Sequence, residues 1–215
     1  VSYCYSGGII DFVKFLNEGK ETIGDKEPIY MAGASEEGAD TDKTGEVEIS
    51  LQWNNTYSEN VMSFANNIYT PEGGMHLEGF RTALTRVLNN YARANGILKE
   101  KDKNLEGSDM REGLTAVVSV KLADPQFEGQ TKAKLGSSFM RPLVNKVVSE
   151  GLAEYLEEHP KQAKQILNKA TSAARARMAA RKAREATRKN SLLESVALPG
   201  KLADCSEKNP ETTEL

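Results

Sequence analysis

A glutamine and a lysine two positions apart, Gln130 and Lys132, are the residues of this sequence best suited to chemistry on a phosphate. Successive side chains alternate in direction along an extended loop, so these two would point to the same side. The lysine supplies a point charge and the glutamine an amide donor, and both groups bind phosphate oxygens. Most Gln-x-Lys triplets on protein surfaces are only solvated loop residues, so from the triplet alone both interpretations stay open.

The flanking sequence predicts that a strand, a loop and a helix position this pair. The run from Leu114 to Leu122 is apolar and β-branched, which is typical of a buried strand. Asp124-Pro125 opens the loop, because proline lacks an N–H and restricts the residue before it. Ser137-Ser138 are good N-cap residues for an amphipathic helix that is predicted over 138–158.

Length and composition indicate a soluble globular protein with one core. The chain has 215 residues, of which 39% are hydrophobic and 27% charged. No apolar run is long enough to span a bilayer and no signal peptide is visible, so we expect a cytoplasmic protein without a membrane partner. Cys4 and Cys205 have no metal-ligand spacing, which predicts reduced thiols. The missing initiator Met and the abrupt end predict a piece cut from a longer chain.

The charge of the chain is uneven. Residues 161–189 hold ten Lys and Arg against one acid, Glu185, a net charge of +9. Since the whole chain carries −3, the remainder carries −3 minus 9, which is −12. This asymmetry suggests that one element faces a polyanion.

That basic segment is predicted to be a long helix over about 160–190, beginning at Pro160 after a break at His159. It has few large apolar residues and many alanines, so we expect it to bury little surface and to stand away from the body. Four arginines fall within roughly 60° of arc on it. They could face nucleic acid or form a solvated helical face, and the residues do not decide between the two. These arginines are Arg177, Arg181, Arg184 and Arg188.

Elsewhere, periodicity predicts an α+β fold: a sheet of about four strands with helices on one side, followed by the long helix. Helices are predicted over 8–17 and 75–95. Strands are predicted over 29–32 and over 46–53, the latter with one solvent-facing side and with 61–65 as its hairpin partner. The acidic stretch 34–45 is interpreted as a solvated connector. His76 has no second ligand at metal spacing, so we interpret it as a packing or hydrogen-bonding residue and predict no metal site.

Four blocks of sequence resemble the transducer domain of bacterial DNA gyrase B, part of a type IIA topoisomerase. They occur in the family order over nearly the whole chain, and the corresponding B-type protein of topoisomerase IV, which shares most of them, is the near alternative. The blocks are Ser6-Gly-Gly-Ile9 with Phe15-Leu-Asn17, Thr70-Pro-Glu-Gly-Gly-Met-His-Leu-Glu-Gly-Phe-Arg81 to Arg86, Met110-Arg-Glu-Gly113 to Leu135, and Leu198-Pro-Gly-Lys-Leu-Ala-Asp-Cys-Ser206.

The resemblance implies a ribosomal-protein-S5 domain-2-like body to about residue 158, with a left-handed βαβ crossover that breaks the usual right-handed rule. It implies a transducer domain over 1–196 and a truncated lead-in to a Toprim domain over 197–215. It also implies that Gln130 and Lys132 touch the γ-phosphate of ATP held by a neighbouring ATPase domain. Arg81 and Arg86 would line a channel for duplex DNA, with surface salt bridges as the alternative.

The same resemblance implies an ATP-hydrolysing topoisomerase that supercoils DNA. Its partners would be gyrase A, a second copy of gyrase B and duplex DNA. ATP and Mg²⁺ would serve the full-length protein, while this stretch alone would bind neither and would be inactive. Two rivals stay open: a non-enzymatic nucleic-acid-binding module, and a chaperone or mismatch-repair ATPase of the same superfamily. The block at Leu198–Ser206 argues against the second, because it resembles Toprim lead-in sequences.

Overall fold

The structure, a computed structural model, describes residues 6–35, 44–99 and 101–195, with side chains to residue 188. Cys4, Cys205, the acidic connector over 36–43 and the block Leu198–Ser206 therefore lie outside the described residues. The elements are α1 Gly8–Leu16, β1 Thr22–Ile23, β2 Ile29–Ala34, β3 Gly45–Asn54, β4 Asn60–Ala65, β5 Ile68–Tyr69, β6 Gly73–Gly74, α2 Met75–Ala94, α3 Gly107–Arg111, β7 Leu114–Leu122, β8 Phe127–Glu128, β9 Lys134–Leu135, α4 Met140–Glu158 and α5 Pro160–Ser195.

Strand β7 is the centre of the main sheet. Its residues are buried at every position except Lys121, as its β-branched sequence predicts. It pairs antiparallel with β3 on one side and parallel with β4 on the other. The predicted hairpin between 46–53 and 61–65 is therefore wrong. The chain places its most apolar strand between the two instead, where both faces and both edges are covered.

Parallel pairing of β4 with β7 makes the segment between them a βαβ crossover through α2. This topology agrees with the implied S5-like body; the left hand of the crossover stays a prediction. Within the described residues the main sheet has six strands, in the order β1-β3-β7-β4-β5, with β2 also paired to β3. The α+β class with a long C-terminal helix is confirmed.

Strand β3 has a solvent-facing side only at its start. Glu46 is exposed and Glu48 half-exposed, but Ser50, Gln52 and Asn54 are buried, so the prediction of one wet face is wrong over most of the strand. The cause is α1, which covers this face. Asn17, just after α1, donates to Gln52 Oε1 at 2.8 Å and accepts from Asn54 at 3.0 Å. These bonds replace water for the buried polar groups.

Helices α2 and α4 pack on the opposite face of the sheet and on each other. The predicted placement of the helices on one side of the sheet therefore holds for α2 and α4 but not for α1. Their fully buried side chains include Phe80, Leu84 and Leu88 from α2 and Val148 and Leu152 from α4. The predicted serine N-cap of α4 is wrong. The helix begins at Met140 with no side-chain cap, and Ser137 Oγ instead accepts the backbone N–H of Gln126 at 3.0 Å.

Helix α5 begins at Pro160, as predicted, directly after His159 ends α4. The expectation that it buries little is wrong for its first half, because alanine allows close packing against the body. Six residues there are buried: Ala163, Ile166, Leu167, Ala170, Ala173 and Ala174.

The chain divides into two compact units, Val1–Ala174 and Arg175–Leu215. The described side chains of the second unit, Arg175 to Arg188, are exposed except for Arg177, which is half-exposed. No described helix is both long and apolar enough to cross a bilayer.

Candidate phosphate-contacting hairpin and basic surfaces

Gln130 and Lys132 lie at the tip of a small hairpin. Strands β8 and β9 pair antiparallel, with Phe127 opposite Leu135 and Glu128 opposite Lys134. Between them the chain turns, and Lys132 adopts a left-handed backbone with φ of 54°. The predicted extended loop, with both side chains on one side because of simple alternation, is therefore wrong: closing so short a hairpin requires a turn. Gln130 and Lys132 are nonetheless both exposed at the tip.

The two lysines of the hairpin have different environments. Lys134 Nζ binds Glu128 Oε2 at 3.0 Å, so its charge is balanced by a neighbour. Lys132 Nζ lies 5.7 Å from the centre of the Phe127 ring, a cation–π distance. Within the described part of the chain, no carboxylate forms an ion pair with Lys132. Its charge is thus available to an incoming anion, and the ring beneath it limits the directions in which the side chain extends.

The stem of the hairpin is fixed to the start of α2. Strand β6 pairs parallel with β9, placing Gly74 opposite Leu135, which is fully buried. Gly74 has φ of 129°, and a Cβ at this position would lie 2.2 Å from the Leu135 carbonyl oxygen. Only glycine fits both the conformation and the space. The stem of the hairpin is therefore joined by strand pairing to the backbone that leads directly into α2.

His76, in the first turn of α2, is completely buried. Its Nε2 lies 3.3 Å from Thr70 Oγ1, and that hydroxyl donates to the Ser63 carbonyl oxygen at 2.9 Å. The predicted packing and hydrogen-bonding role is confirmed. Burial lowers the pKa of His76 to about 4, because a charged imidazole would lose its hydration. Its Nδ1 has no hydrogen-bond partner among the described residues, which periodicity could not have indicated.

Arg81 and Arg86 lie on the exposed side of α2, but both already have partners. Arg81 binds Glu59 Oε1 at 2.8 Å, and the other oxygen of Glu59 accepts from Arg111 at 2.9 Å. Arg86 donates to Asn145 Oδ1 at 2.7 Å and to Ser149 Oγ at 2.6 Å, both on α4. The salt-bridge alternative thus describes Arg81 in this structure, and a contact with DNA stays a prediction for both arginines.

The four arginines of α5 share one face, since the helix is continuous from Pro160 to Ser195. Arg181 forms an exposed pair with Glu185 at 2.9 Å, four residues along the helix. Arg184 and Arg188 are exposed, and Arg177 is half-exposed. These residues belong to the second compact unit, whereas the hairpin belongs to the first.

Among the described residues, no group of three or more His, Cys, Asp or Glu side chains is arranged to hold a metal ion.

Comparison with known proteins decides the family. A sequence model described as DNA gyrase B matches residues 8–186. The chain belongs to the DNA gyrase B family. Similar proteins include DNA gyrase B of Clostridium acetobutylicum, 57% identical over 98% of this chain and 32% of that protein. DNA gyrase B of Streptomyces coelicolor is 52% identical over 100% of this chain and 31% of that protein.

Solved structures agree with this assignment. The 43K ATPase domain of Thermus thermophilus gyrase B, in complex with an aminocoumarin, superposes with a TM-score of 0.74 at 43% identity. The match covers 83% of this chain and 46% of that one. A topoisomerase IV ATP-binding domain from Francisella tularensis shares the fold, with a TM-score of 0.64 at 23% identity. The chain spans about a third of the length of the curated relatives named above.

Proposed function

We propose that this chain is the transducer part of gyrase B, within the ATP-dependent type II topoisomerase DNA gyrase. In this role the hairpin tip senses the terminal phosphate of ATP and couples its loss to movement of the body. The observation that carries the proposal is the exposed, left-handed Lys132, without an acidic partner in the described chain, on a stem that is locked to α2. The Thermus thermophilus ATPase domain, which aligns over 83% of this chain, supports a nucleotide close to this fold.

The physical basis is the difference in charge before and after hydrolysis. A lysine beside the γ-phosphate stabilises negative charge that increases on the oxygens as the bond breaks. Gln130 adds a neutral donor, which makes a weaker contact. When the phosphate leaves, this contact is lost, and the hairpin is free to move with the backbone of β6 and the start of α2.

ATP and Mg²⁺ would bind to other parts of the full-length protein, and Gln130 and Lys132 at the hairpin tip would reach towards them. The wider assembly would include gyrase A, a second copy of gyrase B and duplex DNA, in the cytoplasm. The 215-residue chain alone should show no ATP turnover and no DNA cleavage with Mg²⁺. Turnover well above background in a pure preparation would contradict the assignment of this chain as a transducer.

Lys132→Ala in full-length gyrase B tests the proposal. We expect ATP hydrolysis to fall about a hundred- to a thousandfold, the range for removing one preorganised group that stabilises transition-state charge. Gln130→Ala should cost less, because it removes a neutral donor. Steady-state ATPase assays with the thermal unfolding temperature measured in parallel would separate loss of function from loss of fold.

Lys134→Ala is the matched control, since it removes the same charge from the same hairpin. Its partner Glu128 is 54% exposed, and exposed ion pairs contribute little to stability, so hydrolysis should stay close to wild type. Equal losses in the Lys132 and Lys134 variants would mean that only the net charge of the hairpin matters. Wild-type hydrolysis in the Lys132 and Gln130 variants would remove the phosphate-sensing role.

The basic half of α5 supports a second role, contact with the phosphates of DNA by Arg177, Arg181, Arg184 and Arg188. An alternative makes the helix a mechanical strut between the ATP-responsive and DNA-cleaving parts of the protein. In the strut role, Ala179→Pro would uncouple ATP hydrolysis from strand passage, because proline breaks a helix interior. Arg81 and Arg86 would contribute to a DNA channel only if duplex DNA displaced their present partners.

Two alternative identities of this chain can each be tested. The B-type protein of topoisomerase IV would relax DNA and would assemble with a different partner protein, so a supercoiling assay with gyrase A separates it. A non-enzymatic nucleic-acid-binding module would need no response to nucleotide. Any change in ATP hydrolysis caused by Lys132→Ala excludes that module.

A further inference from the structure

Among the described residues, strand β2 is a sheet edge without the usual protection. It pairs only with β3, and among the described residues its other side has no backbone partner. Its sequence, Ile-Tyr-Met-Ala-Gly-Ala, contains no charge and no proline, the devices with which proteins block unwanted strand pairing. The sheet's other terminal strands, β1 and β5, have two residues each. Of these strands, β2 alone is long enough to accept a new one.

The register shows which backbone groups are available. Ser35 donates its backbone N–H to the Gly45 carbonyl oxygen at 2.9 Å, which makes this position a hydrogen-bonded pair. Because such pairs alternate in an antiparallel ladder, the backbone N–H and C=O groups of Ile29, Met31 and Gly33 also form hydrogen bonds with β3. The N–H and C=O groups of the residues between them, Tyr30, Ala32 and Ala34, therefore point outward.

A groove follows this edge. It has a volume of about 910 Å³ and lies between β2 and α4. Ile29, Met31 and Val147, all nearly buried, form its apolar side. The groove therefore offers both a row of backbone groups and an apolar surface, the two features that strand addition uses.

The charge of the groove identifies its partner. Glu150, Glu154 and Glu158 lie four residues apart on α4 and are exposed, so they form one acidic ridge along the groove. The lining also holds Lys26 and Lys146, but five acidic residues against these two lysines leave it acidic overall. A second copy of this chain would bring an identical ridge against it, and like charges would repel. A segment with lysine or arginine at alternate positions would meet the ridge with opposite charge, since alternate side chains of an added strand face α4.

We propose that β2 and the acidic ridge form a docking site for an extended, basic peptide segment of another protein, which adds to the sheet as a strand. The backbone of the segment would bond to Tyr30, Ala32 and Ala34, and its basic side chains would contact Glu150 and Glu154. This site is separate from the hairpin tip and does not depend on the proposed phosphate contact.

The test uses the 215-residue chain and a fluorescent peptide of about ten residues that alternates lysine and valine, roughly the length of a long strand. Fluorescence anisotropy should show binding that weakens with salt. A peptide that alternates glutamate and valine should not bind. The lysine–valine peptide with an N-methyl group on every residue should also fail, because it has no backbone N–H to donate to β2. Equal binding of all three peptides would overturn the proposal.

Two variants of one residue isolate the backbone contact. Ala32→Pro removes only an outward N–H, which edge strands tolerate, and should weaken peptide binding about tenfold, the effect of roughly one hydrogen bond. Ala32→Val keeps the N–H and should bind like the wild type. If the proline variant binds as tightly as the valine variant, no strand is added. If Ala32→Pro does not fold, the N-methylated peptide gives the same answer.

The charge contact has its own pair of variants. Glu150→Gln with Glu154→Gln should weaken binding and reduce its salt dependence. Glu157→Gln, on α4 but outside the groove lining, should leave both unchanged. Concentration-dependent dimerisation that Ala32→Pro abolishes, without peptide binding, would make the occupant a second copy of the chain and would also overturn the proposal.

Discussion

The stem of the hairpin and the second half of α5 hold their functional groups in opposite ways. In the stem, β6, β9 and the first turn of α2 are largely buried, and Gly74 and His76 each have a unique environment. Over residues 175–188 of α5 the side chains lie on the surface of one helix. A substitution in the stem therefore changes the packing of particular atoms, whereas a substitution in this part of α5 changes the total charge of the helix surface.

Gly74→Ala should have the largest effect. The new Cβ would overlap the backbone of Leu135 in a conformation that favours glycine, so we expect the free energy of unfolding to fall by on the order of 3 kcal/mol or more. Gly129→Ala is the control, since Gly129 has φ of 76° but no atom within 4 Å of its Cβ position. It should cost about 1–2 kcal/mol, the conformational part alone. Urea unfolding of both variants measures the difference; equal costs would show that the stem is not tightly packed.

His76 should make stability depend on pH. Its pKa falls from 6.5 in the unfolded chain to about 4 in the fold, so the unfolded state binds the extra proton between these values. The contribution of the neutral, buried His76 to stability is fully present above pH 6.5 and is lost as the pH falls towards 4. The loss is on the order of 3 kcal/mol at 1.36 kcal/mol per pKa unit. Urea unfolding at several pH values, with His76→Gln for comparison, measures it; identical pH profiles would show that His76 is not the group responsible.

Neutralising the arginine face of α5 should alter DNA binding but not the fold. Each arginine that contacts a phosphate contributes about 0.9 to the log–log slope of affinity against salt. Replacing all four arginines with alanine should therefore reduce the slope by roughly 3 to 4. Helicity should persist, because alanine is a good helix former. Filter-binding titrations against duplex DNA at several salt concentrations, with circular dichroism in parallel, test this. An unchanged slope would favour the strut. The variant changes Arg177, Arg181, Arg184 and Arg188.

A single change on that face should have the smallest effect. Arg181→Ala breaks the exposed pair with Glu185, and pairs of this kind contribute about 0.3–0.5 kcal/mol. Thermal unfolding should therefore stay nearly unchanged, while the salt slope falls by about 0.9 if this residue contacts DNA. A large loss of stability would mean that this surface is more specifically organised than its exposure suggests.

The sequence predicted best what depends on local pattern. The start of α5 at Pro160, the buried strand β7 and the helix from Met75 each follow from periodicity and from breaking or capping residues. The basic segment followed from a count of charges. The family followed from motifs, and the comparisons confirm it.

Features that depend on residues far apart in the chain could not be predicted from the sequence. Nothing near Val61 indicates that its strand pairs with β7 and not with β3. The burial of Gln52 depends on Asn17, 35 residues earlier in the chain. Ala170 and Ala173 look like surface residues by composition, yet they pack closely because alanine is small. The left-handed Lys132 depends on how its hairpin closes, which residue type alone does not fix.

The central position of β7 has a consequence for how the protein is made. Strands β3 and β4 leave the ribosome before β7, yet each needs β7 as its neighbour, on opposite sides. Until synthesis passes Leu122, the emerging chain presents their unpaired backbone groups and apolar side chains together. Sheets built from such distant pairings fold slowly and are exposed to aggregation during synthesis. Over this interval the nascent chain should depend on chaperones, and the dependence should continue until α4, which packs on α2 and on the sheet, has also left the exit tunnel.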